Sequence, residues 1–504
     1  MEVEKGSWLV VVIAGFVALY GLLKRVNEWY YETRLGEKKF SLPPGDMGLP
    51  LIGNMWSFLR AFKSSDPDSF LNSFVKRYGR TGIYKAFMFG CPTIMVTIPE
   101  TCRQVLMDDE QFGPGWPKST LELIGKKSFI GISYEEHKRL RKLTAAPVNG
   151  PEALSVYMEY ISKTVISALE KWSDMGEIEF LTQLRKLTFR IIAYIFLSSE
   201  GDPVMEDLER EYTALNHGVR AMAVNVPGFA YHKALKARKK LVAILQSVLD
   251  KRRSNRESGN SQEKKDMMDS LMDMEDESGR KLNDEEIIDV LIMYLNAGHE
   301  SSGHITMWAT VFLQKNPEFF QKAKTEQEEI VKKRPPTQKG LTLKEYRQMD
   351  YLSKVVDETL RVVNISMVVF REALTDVKIR KIPHSSSNFT SSNSFVIPKG
   401  WKVQVWFRNV HMDSEVHPNP KEFNPSRWDG FIPKAGAYLP FGAGSRLCPG
   451  NDLAKLEISI FLHYFLLNYR LERINPECGM KYLPHPRPVD NCLARVRRNS
   501  SPSL

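Results

Sequence analysis

The residues with the clearest chemical potential lie in one ten-residue segment, FGAGSRLCPG, at positions 441–450. Glycines allow a loop with positive φ and let the backbone approach a flat ligand closely. Amide groups exposed in such a loop can donate hydrogen bonds to the sulfur of Cys448. Arg446 is a permanent cation suited to a carboxylate. Pro449 is a favourable first residue of a helix, whose positive N-terminal end would favour thiolate over thiol at Cys448.

The spacing of this segment is specific. Because each residue type takes roughly one position in twenty, a chance match at five positions in a chain of 504 residues has a frequency on the order of 10⁻⁴. The five positions are Phe441, Gly444, Arg446, Cys448 and Gly450. A metal-binding or reactive thiolate at Cys448 is therefore favoured over the ordinary role of a buried cysteine as a small hydrophobic residue.

The other cysteines give no sign of a second site. Five cysteines, widely spaced and without a C-x-x-C pair, argue against a disulfide framework or a structural zinc site. They indicate a chain that works in a reducing compartment. We interpret four as ordinary small hydrophobic residues: Cys91, Cys102, Cys478 and Cys492.

Two helix-like stretches carry polar pairs that could support the same site. The segment AGHESS at 297–302 lies inside the long apolar stretch Asp284–Gln314 and places Glu300 beside Ser301. The segment ETLR places Glu358 and Arg361 three residues apart, on one face of a helix. Taken alone, the first pair is uninformative, and the second has an exposed ion pair as its ordinary alternative.

Together these segments resemble the cytochrome P-450 superfamily. The resemblance implies haem b as cofactor, with its iron ligated by Cys448 and with Phe441, Gly444 and Arg446 contacting the haem. Thiolate donation to iron favours O–O cleavage over reversible oxygen binding. The resemblance also assigns proton relay during oxygen activation to Glu300 and Ser301, although most relatives carry Thr at the second position.

The resemblance extends to further charged residues. HKRLR at 137–141 is similar to the family's Trp-x-x-x-Arg pattern, so Arg141 would bind a haem propionate and His137 would replace the Trp. Arg371 would bind a propionate as well. For His137, Arg141 and Arg371, residue type alone leaves a surface charge equally open. Arg427, in FNPSRW, would join Glu358 and Arg361 in a structural triad.

The amino terminus has the pattern of a membrane anchor. Gly6–Leu23 contains eighteen residues without a charge, and a helix of that length spans about 27 Å, close to the roughly 30 Å hydrocarbon core. Lys24 and Arg25 follow directly, so the positive-inside rule leaves the rest of the chain in the cytosol. A cleaved signal peptide and a buried core helix are the alternatives. We expect an anchor at 1–25, a linker with a Pro-rich hinge at 26–50 and a catalytic domain at 51–504.

The remaining pattern predicts a fold that is mainly α with a small β part, plus this one transmembrane helix. A hairpin is expected at Thr81–Thr97, which Gly90 and Pro92 interrupt. A polar loop is expected at Ser254–Lys265. The predicted helices are Leu154–Trp172, Leu184–Leu197, Val204–Ala223, Lys233–Arg253, Asp284–Gln314, Leu343–Leu360 and a last one from Pro449 to about Leu467.

Longer strings resemble the plant ent-kaurenoic acid oxidases, among them YEEHKRLR at 134–141 and YLNAGHESSGH at 294–304. This resemblance implies successive oxidations of ent-kaurenoic acid to gibberellin A12, with O2 and with electrons from NADPH through a separate NADPH–cytochrome P-450 reductase. It implies a single-pass protein of the endoplasmic reticulum membrane. The alternatives are a triterpene oxidase of the β-amyrin type and, in a different class, a catalytically inactive haem- or lipid-binding membrane protein.

Four further features bear on function. The net charge of +10 fits a membrane surface, an acidic partner or simply a solvated surface, and no nucleic-acid-binding motif accompanies it. We interpret the basic run Lys233–Lys240 as a solvated helix face, with a contact to a membrane surface as the alternative. The apolar segment Asn364–Phe370 would line the substrate pocket by resemblance. The Ser/Asn-rich segment Pro383–Ser394 predicts a flexible surface loop that departs from the family and modestly lowers stability or activity.

Overall fold

The computed structural model describes residues 2–198, 203–219, 221–259, 266–380, 394–483 and 485–499, with side chains from Val12 onward except that of Pro203. The predicted loop Pro383–Ser394 lies outside these residues apart from Ser394, as do residues 260–265 of the predicted polar loop. The described residues are mainly helical with a small β part, which confirms that part of the predicted fold class.

The helices account for most of the described chain. They are α1 Glu2–Glu32, α2 Met55–Lys63, α3 Asp68–Tyr78, α4 Pro99–Met107, α5 Lys118–Ile124, α6 Tyr134–Asn149, α7 Pro151–Asp174, α8 Phe180–Leu197, α9 Pro203–Val219, α10 Ala230–Glu257, α11 Met267–Asp273, α12 Asp284–Lys315, α13 Pro317–Lys332, α14 Leu343–Tyr346, α15 Asp350–Val363, α16 Phe407–His411 and α17 Asn451–Asn468. Short 3-10 helices occupy Thr33–Ser41, Pro425–Trp428 and Gly444–Arg446.

One predicted helix is divided in two. The stretch Leu343–Leu360 was expected to be continuous, but α14 ends at Tyr346 and α15 begins at Asp350. The reason lies outside the segment, because the carboxylate of Glu326 on α13 accepts hydrogen bonds from the backbone N–H groups of Tyr351 (2.6 Å) and Leu352 (3.0 Å). A carboxylate at this place satisfies free amides at a helix N-terminus and so fixes a new start for the helix.

The strands are short. They are β1 Ile83–Met88, β2 Cys91–Val96, β3 Phe112–Pro114, β4 Glu177–Glu179, β5 Val368–Ala373, β6 Val377–Arg380, β7 Ser394–Ile397, β8 Lys402–Trp406, β9 Tyr469–Arg473, β10 Met480–Lys481, β11 Arg487–Pro488 and β12 Leu493–Arg498. The predicted hairpin is confirmed, since β1 and β2 pair antiparallel with Met88 opposite Cys91.

The chain divides into two compact units, of which the first comprises Met1–Gly115, Ser366–Val416 and Pro433–Leu439. It contains a five-stranded sheet in the order β1-β2-β8-β5-β3, in which only the β2–β8 pair is parallel among the described strands. Strands β6 and β7 form a separate antiparallel pair. Helices α2 and α3 pack on each other here, with Phe58 and Phe70 in edge-to-face contact at 5.6 Å.

The second unit comprises Trp116–Ile365, His417–Ile432 and Pro440–Leu504. Its centre is α12, which packs on α8 and α17, while α9 packs on α10. A three-stranded sheet in the order β4-β12-β9 lies in the same unit. This unit holds nearly all the predicted site residues, so the geometry below is that of the second unit unless stated otherwise.

The predicted anchor Gly6–Leu23 falls within α1. Within the residues searched, no helix is long and apolar enough to cross a membrane. From Val12 onward the apolar side chains of α1 are exposed, among them Phe16 at 68% and Leu22 at 67%. The transmembrane anchor therefore stays a prediction, as does the division into residues 1–25, 26–50 and 51–504.

Candidate active site

The central helix α12 is fixed at its start and along one side. Asn283 and Glu286 form a capping box, each accepting a hydrogen bond from the other's backbone N–H at 2.9 Å. Helix α8 approaches closely at Gly298, where an added Cβ would lie 3.2 Å from the Cδ1 of Ile192. The hydroxyl of Thr188 on α8 donates to the carbonyl of His299 at 2.7 Å. These contacts set both the position of α12 and its rotation about its own axis.

Most of α12 is buried, but one sector in its middle is not. Ala297 is exposed, and Met293, Asn296 and Ser301 are half-buried, while Leu295 and His299 are buried. Successive helix positions differ by about 100°, so positions 293, 296, 297 and 301 fall within a sector of about 140° on one side of the helix. We call Met293, Asn296, Ala297 and Ser301 the accessible face. It offers two apolar and two polar side chains.

The predicted acid and hydroxyl lie side by side but differ in environment. Ser301 is on the accessible face, and its hydroxyl donates to the carbonyl of Ala297 at 3.0 Å. Glu300 is buried and forms an ion pair with Arg185 of α8. Its carboxylate oxygens also lie 3.8 Å from Nε2 of His299 and 3.7 Å from Nδ1 of His304. The carboxylate of Glu300 is therefore buried in a cluster with Arg185, His299 and His304, whereas the hydroxyl of Ser301 is accessible.

Arg487 on β11 belongs to the same cluster. Burial and the nearby charge of Arg185 lower the pKa of Arg487, and the charge of Glu300 acts in the opposite direction. Sequence reasoning missed both arginines, because an arginine on a helix or a short strand carries no local signal of a distant partner. Only the packing of α8 and β11 around α12 reveals them.

The loop before α17 has the geometry that its glycines predict. Gly442 and Gly444 have φ values of 79° and 73°, a region that favours glycine. The backbone N–H of Cys448 donates to the carbonyl of Phe441 at 2.9 Å and closes the loop. The loop stays half-exposed throughout Pro440–Gly450 apart from Ser445, which is exposed. A flat ligand could therefore reach its backbone and the thiol.

The helix that follows begins later than expected. The sequence predicts Pro449 as its first residue, but α17 begins at Asn451 with Gly450 as its N-cap. The first intrahelical hydrogen bond runs from the N–H of Ala454 to the carbonyl of Gly450 at 2.9 Å. The Pro449 carbonyl instead accepts a hydrogen bond from the side chain of Asn149 on α6. Like Arg185 and Arg487, Asn149 carries no local sequence signal of this contact.

The surroundings of the Cys448 thiol act on its pKa in both directions. Burial raises its pKa, whereas a backbone hydrogen bond from Gly450 and the positive charge of Arg141 act to lower it. The residue nevertheless keeps accessible surface. A thiol that is accessible, reached by an amide donor and close to a cation is suited to act as a thiolate ligand.

The predicted cations of α6 and of the loop lie in the same unit. The guanidinium of Arg446 donates from Nη1 to the carbonyl of Phe129 at 3.1 Å. His137 is buried, with its ring edge-to-face against Phe129 at 5.4 Å. Arg141 follows one turn later and makes no hydrogen bond or ion pair with any residue that the structure describes. Since a half-buried cation without a counter-ion is costly, Arg141 fits an anionic group of a ligand.

The predicted structural triad is formed. The guanidinium of Arg361 donates to both carboxylate oxygens of Glu358, at 2.9 Å and 2.7 Å, and Arg427 donates to Glu358 at 3.2 Å. Glu358 and Arg361 are fully buried. Two carbonyl groups, of Pro420 and Glu422, accept further hydrogen bonds from Arg361. The triad therefore ties α15 to the segment around Phe423, which is a structural task.

Arg371 belongs to the first unit and is described there. It lies on β5 opposite Val403 of β8, is buried, and donates from Nη1 to the carbonyl of Phe370 at 3.3 Å. The predicted pocket segment Asn364–Phe370 begins with Asn364, which ends α15 at a φ of 54°, and continues into β5. The propionate contact of Arg371 and the pocket-lining role of this segment stay predictions.

The comparisons with known proteins agree on the class. The sequence profile of the family described as Cytochrome P450 matches residues 43–483. The chain is 65% identical to "Ent-kaurenoic acid oxidase 2" of Arabidopsis thaliana over 97% of this chain and 98% of that protein. It is 55% identical to "7,8-epoxymelianol synthase CYP88A154" of Ailanthus altissima over 97% and 96% of the two chains.

A solved structure gives the same fold. It is described as retinoic acid bound cyanobacterial CYP120A1, and it superposes with a TM-score of 0.79 at 25% identity, covering 91% of this chain and 99% of that one. The chain therefore belongs to the cytochrome P450 family. It is a monooxygenase that binds haem through a cysteine ligand to the iron, and it uses O2 and electrons from a redox partner.

The residues of the second unit fit that cofactor. Cys448 supplies an accessible thiol with an amide donor nearby, and an added Cβ on Gly450 would meet no atom within 4 Å. Arg141 supplies a cation without a counter-ion in the described chain, as a propionate requires. The donor set of one thiolate and separate cations matches an iron ligand and the acidic edge of a haem.

Proposed function

We propose that this enzyme oxidises ent-kaurenoic acid in successive steps to gibberellin A12, the first gibberellin. The observation that carries the proposal is 65% identity to an Arabidopsis thaliana protein named for ent-kaurenoic acid, over nearly the full length of both chains. The apolar residues Met293 and Ala297 on the accessible face of α12 suit a ligand with a hydrocarbon skeleton.

We assign the roles of the site residues as follows. Cys448 would hold the haem iron through its thiolate, and the haem would supply oxygen activation there. Phe441, Gly444 and Arg446 contact the haem through the loop that closes at Cys448. Arg141 and Arg371 bind propionates. His137 takes the place of the usual Trp in the same contact, where its imidazole can donate a hydrogen bond.

Ser301 and Glu300 are the proton-relay pair. The hydroxyl of Ser301 is accessible and can both donate and accept a proton-carrying hydrogen bond. Glu300 stands behind it as a carboxylate whose charge is balanced by Arg185. The ion pair keeps the carboxylate oriented, and His299 and His304 lie within 3.8 Å and 3.7 Å of its oxygens.

The sequence and exposure of α1 support the proposed location. Its exposed apolar side chains from Val12 onward, followed by Lys24 and Arg25, support a single-pass anchor at residues 1–25 in the endoplasmic reticulum membrane, with a linker at 26–50 and a cytosolic catalytic domain at 51–504. In that location the electron donor is NADPH–cytochrome P-450 reductase, and the membrane lipid gives access to an apolar substrate.

A second substrate class keeps the same mechanism. A relative that is 55% identical is named 7,8-epoxymelianol synthase, so a chain of similar sequence is named for a different compound. A triterpene oxidase of the β-amyrin type is the alternative of this kind. In the decisive assay, microsomes that contain the enzyme and a reductase are supplied with NADPH. Ent-kaurenoic acid is added to one sample and β-amyrin to a parallel sample. We expect oxidation of the diterpenoid acid, and turnover of β-amyrin alone would refute the substrate assignment.

The ligand assignment has its own test. Replacing Cys448 by His should abolish the red-shifted Soret band that reduced thiolate haem gives with carbon monoxide, while replacing Cys478, which lies outside the loop, by Ser should leave that band in place. A normal band in the Cys448→His variant would show that another residue binds the iron. The same spectrum separates a functional haem protein from a chain that has lost the cofactor.

A further inference from the structure

One side of α6 is held by a turn that precedes α12. The turn spans residues 275–281, and its two end residues, Glu275 and Lys281, form an isolated antiparallel bridge. Inside the turn, Oδ1 of Asp276 accepts hydrogen bonds from the backbone N–H groups of Ser278 at 2.9 Å and Arg280 at 3.0 Å. The 275–281 turn therefore has a defined conformation of its own, organised by one oxygen of this carboxylate.

The other oxygen of Asp276 accepts a hydrogen bond from Arg139 of α6. Nε of Arg139 donates to Oδ2 of Asp276, and Nη2 donates to the carbonyl of Arg280 at 3.4 Å. Nη1 of Arg139 lies 3.6 Å from the carboxylate of Glu286, which belongs to the capping box of α12. The side chains of Arg139, Asp276 and Glu286 are only 14%, 17% and 8% exposed. Solvent therefore screens these contacts less than it screens an ion pair on the surface.

The contact lies on the side of α6 that is opposite to the assigned haem contacts. Successive helix residues differ by about 100°, so Arg139 lies about 160° from both His137 and Arg141, which are only about 40° apart. On the side of His137 and Arg141, the hydroxyl of Thr144 accepts a hydrogen bond from the hydroxyl of Tyr294 on α12 at 3.1 Å. Contacts on two opposite sides thus fix the rotation of α6 about its own axis.

The rotation of α6 decides where Arg141 points. Its guanidinium makes no hydrogen bond or ion pair with any residue that the structure describes. Its direction therefore depends on the helix that carries it. Burial raises the pKa of the Cys448 thiol and the positive charge of Arg141 opposes that rise, so the guanidinium lies on the side of α6 that is near Cys448. A rotation of α6 would carry this charge away from the thiol.

We propose that Arg139 is a positioning residue, which fixes the rotation of α6 through Asp276 and Glu286 and thereby directs Arg141 at a haem propionate. The proposal rests on the proposed function, which assigns the propionate contact to Arg141. Arg139 itself does not touch the haem, because it lies on the opposite side of the helix. Its effect on haem binding therefore requires Arg141, whereas the effect of an ordinary stabilising ion pair does not.

The test is a double-mutant cycle on haem retention. The full-length haem-loaded protein is placed in lipid nanodiscs, and the rate of haem transfer to excess apomyoglobin is measured by absorbance below the unfolding transition. Arg141→Gln should raise this rate about tenfold, because it removes a charge-assisted hydrogen bond. Asp276→Asn should raise it about fivefold, because an NH2 donor replaces the oxygen that faces Arg139 while Oδ1 still organises the turn. The double variant should release haem no faster than Arg141→Gln alone.

Two further variants separate this contact from a general defect of the turn. Arg139→Gln leaves the turn unchanged and should show the same dependence on Arg141. Glu277→Gln is the matched control, because it breaks the neighbouring ion pair between the turn and Lys142 of α6. The side chains of Glu277 and Lys142 are 88% and 73% exposed. The control should therefore change the transfer rate by less than about twofold.

Three results would overturn the proposal. If the effects multiply to about fiftyfold in the double variant, Asp276 acts on haem retention independently of Arg141. Equal effects of Asp276→Asn and Glu277→Gln would show that only the charge of the turn matters, and an unchanged rate in Arg139→Gln would show that the contact has no role. If Arg141→Gln alone leaves haem transfer unchanged, the role assigned to Arg141 is itself wrong, and the proposal fails with it.

Discussion

Replacement of Glu358 by Ala should lower the stability of the protein and reduce the accumulation of folded haem protein. Glu358 accepts hydrogen bonds from the guanidinium groups of Arg361 and Arg427, from the indole N–H of Trp428 at 3.1 Å and from the backbone N–H of Asn424 at 3.1 Å. The alanine variant leaves these donors without their acceptor. It also leaves Arg361 as a cation that is 0% exposed and has lost its counter-ion.

The size of the effect follows from the burial of the pair. Removing one partner of a buried ion pair costs about 3–5 kcal/mol, since the remaining charge stays desolvated. A loss of about 3 kcal/mol raises the ratio of unfolded to folded protein by roughly two orders of magnitude, and total stability is only about 5–15 kcal/mol. The variant should therefore lose a large share of its stability, so that its transition temperature falls and less folded haem protein accumulates.

The assay measures haem per chain from the carbon monoxide difference spectrum, together with the temperature at which that spectrum is lost. Asp207→Ala is the matched control, because Asp207 pairs with Arg210 at the same i,i+3 spacing with side chains 51% and 64% exposed. An exposed pair contributes about 0–1 kcal/mol, so the control should retain its haem and its transition temperature. Equal haem content and equal transition temperatures for the two variants would refute the reasoning.

Two further predictions concern α12 and α17. Gly298→Val should lower stability by about 1–3 kcal/mol, because the first added carbon already lies 3.2 Å from Ile192. The control Gly340→Ala should change the thermal midpoint little, because an added Cβ at that position meets no atom within 4 Å. Equal midpoints for the two variants would contradict the close packing of α8 on α12. Burial raises the pKa of Glu457 to about 8 from 4.5, so this carboxyl is protonated in the folded chain and ionised in the unfolded chain between those values. The folded state then binds more protons, and stability should fall as pH rises from about 4.5 to 8, by at most about 1.4 kcal/mol per pH unit. Glu457→Gln should remove this slope and be the more stable protein at pH 8.5, with the advantage vanishing near pH 5; parallel midpoint curves would count against a neutral Glu457.

Several elements could be predicted because their cause is local. The hairpin β1–β2 follows from the β-formers on either side of Gly90, and the long helix α12 follows from the apolar run that predicted a helix over Asp284–Gln314. The Glu358–Arg361 pair follows from its i,i+3 spacing. In each case the interacting residues are neighbours in the sequence.

Other features depend on contacts between distant parts of the chain. The break between α14 and α15 is fixed by the carboxylate of Glu326, which lies on α13, the helix before α14. The carboxylate of Glu300 is balanced by Arg185, 115 residues away. Neither relation leaves a trace in local composition or periodicity, so neither could be predicted from the sequence.

By itself the sequence determined the thiolate loop, since glycines, Arg446 and Cys448 act within ten consecutive residues whose conformations their own φ preferences restrict. It also determined which residue type stands at every position of α12. Only the tertiary structure decided which side of α12 remains accessible, because that side is defined by where α8 and α17 do not pack. The same packing separates Ser301, which lies on the accessible face, from Glu300, which is buried.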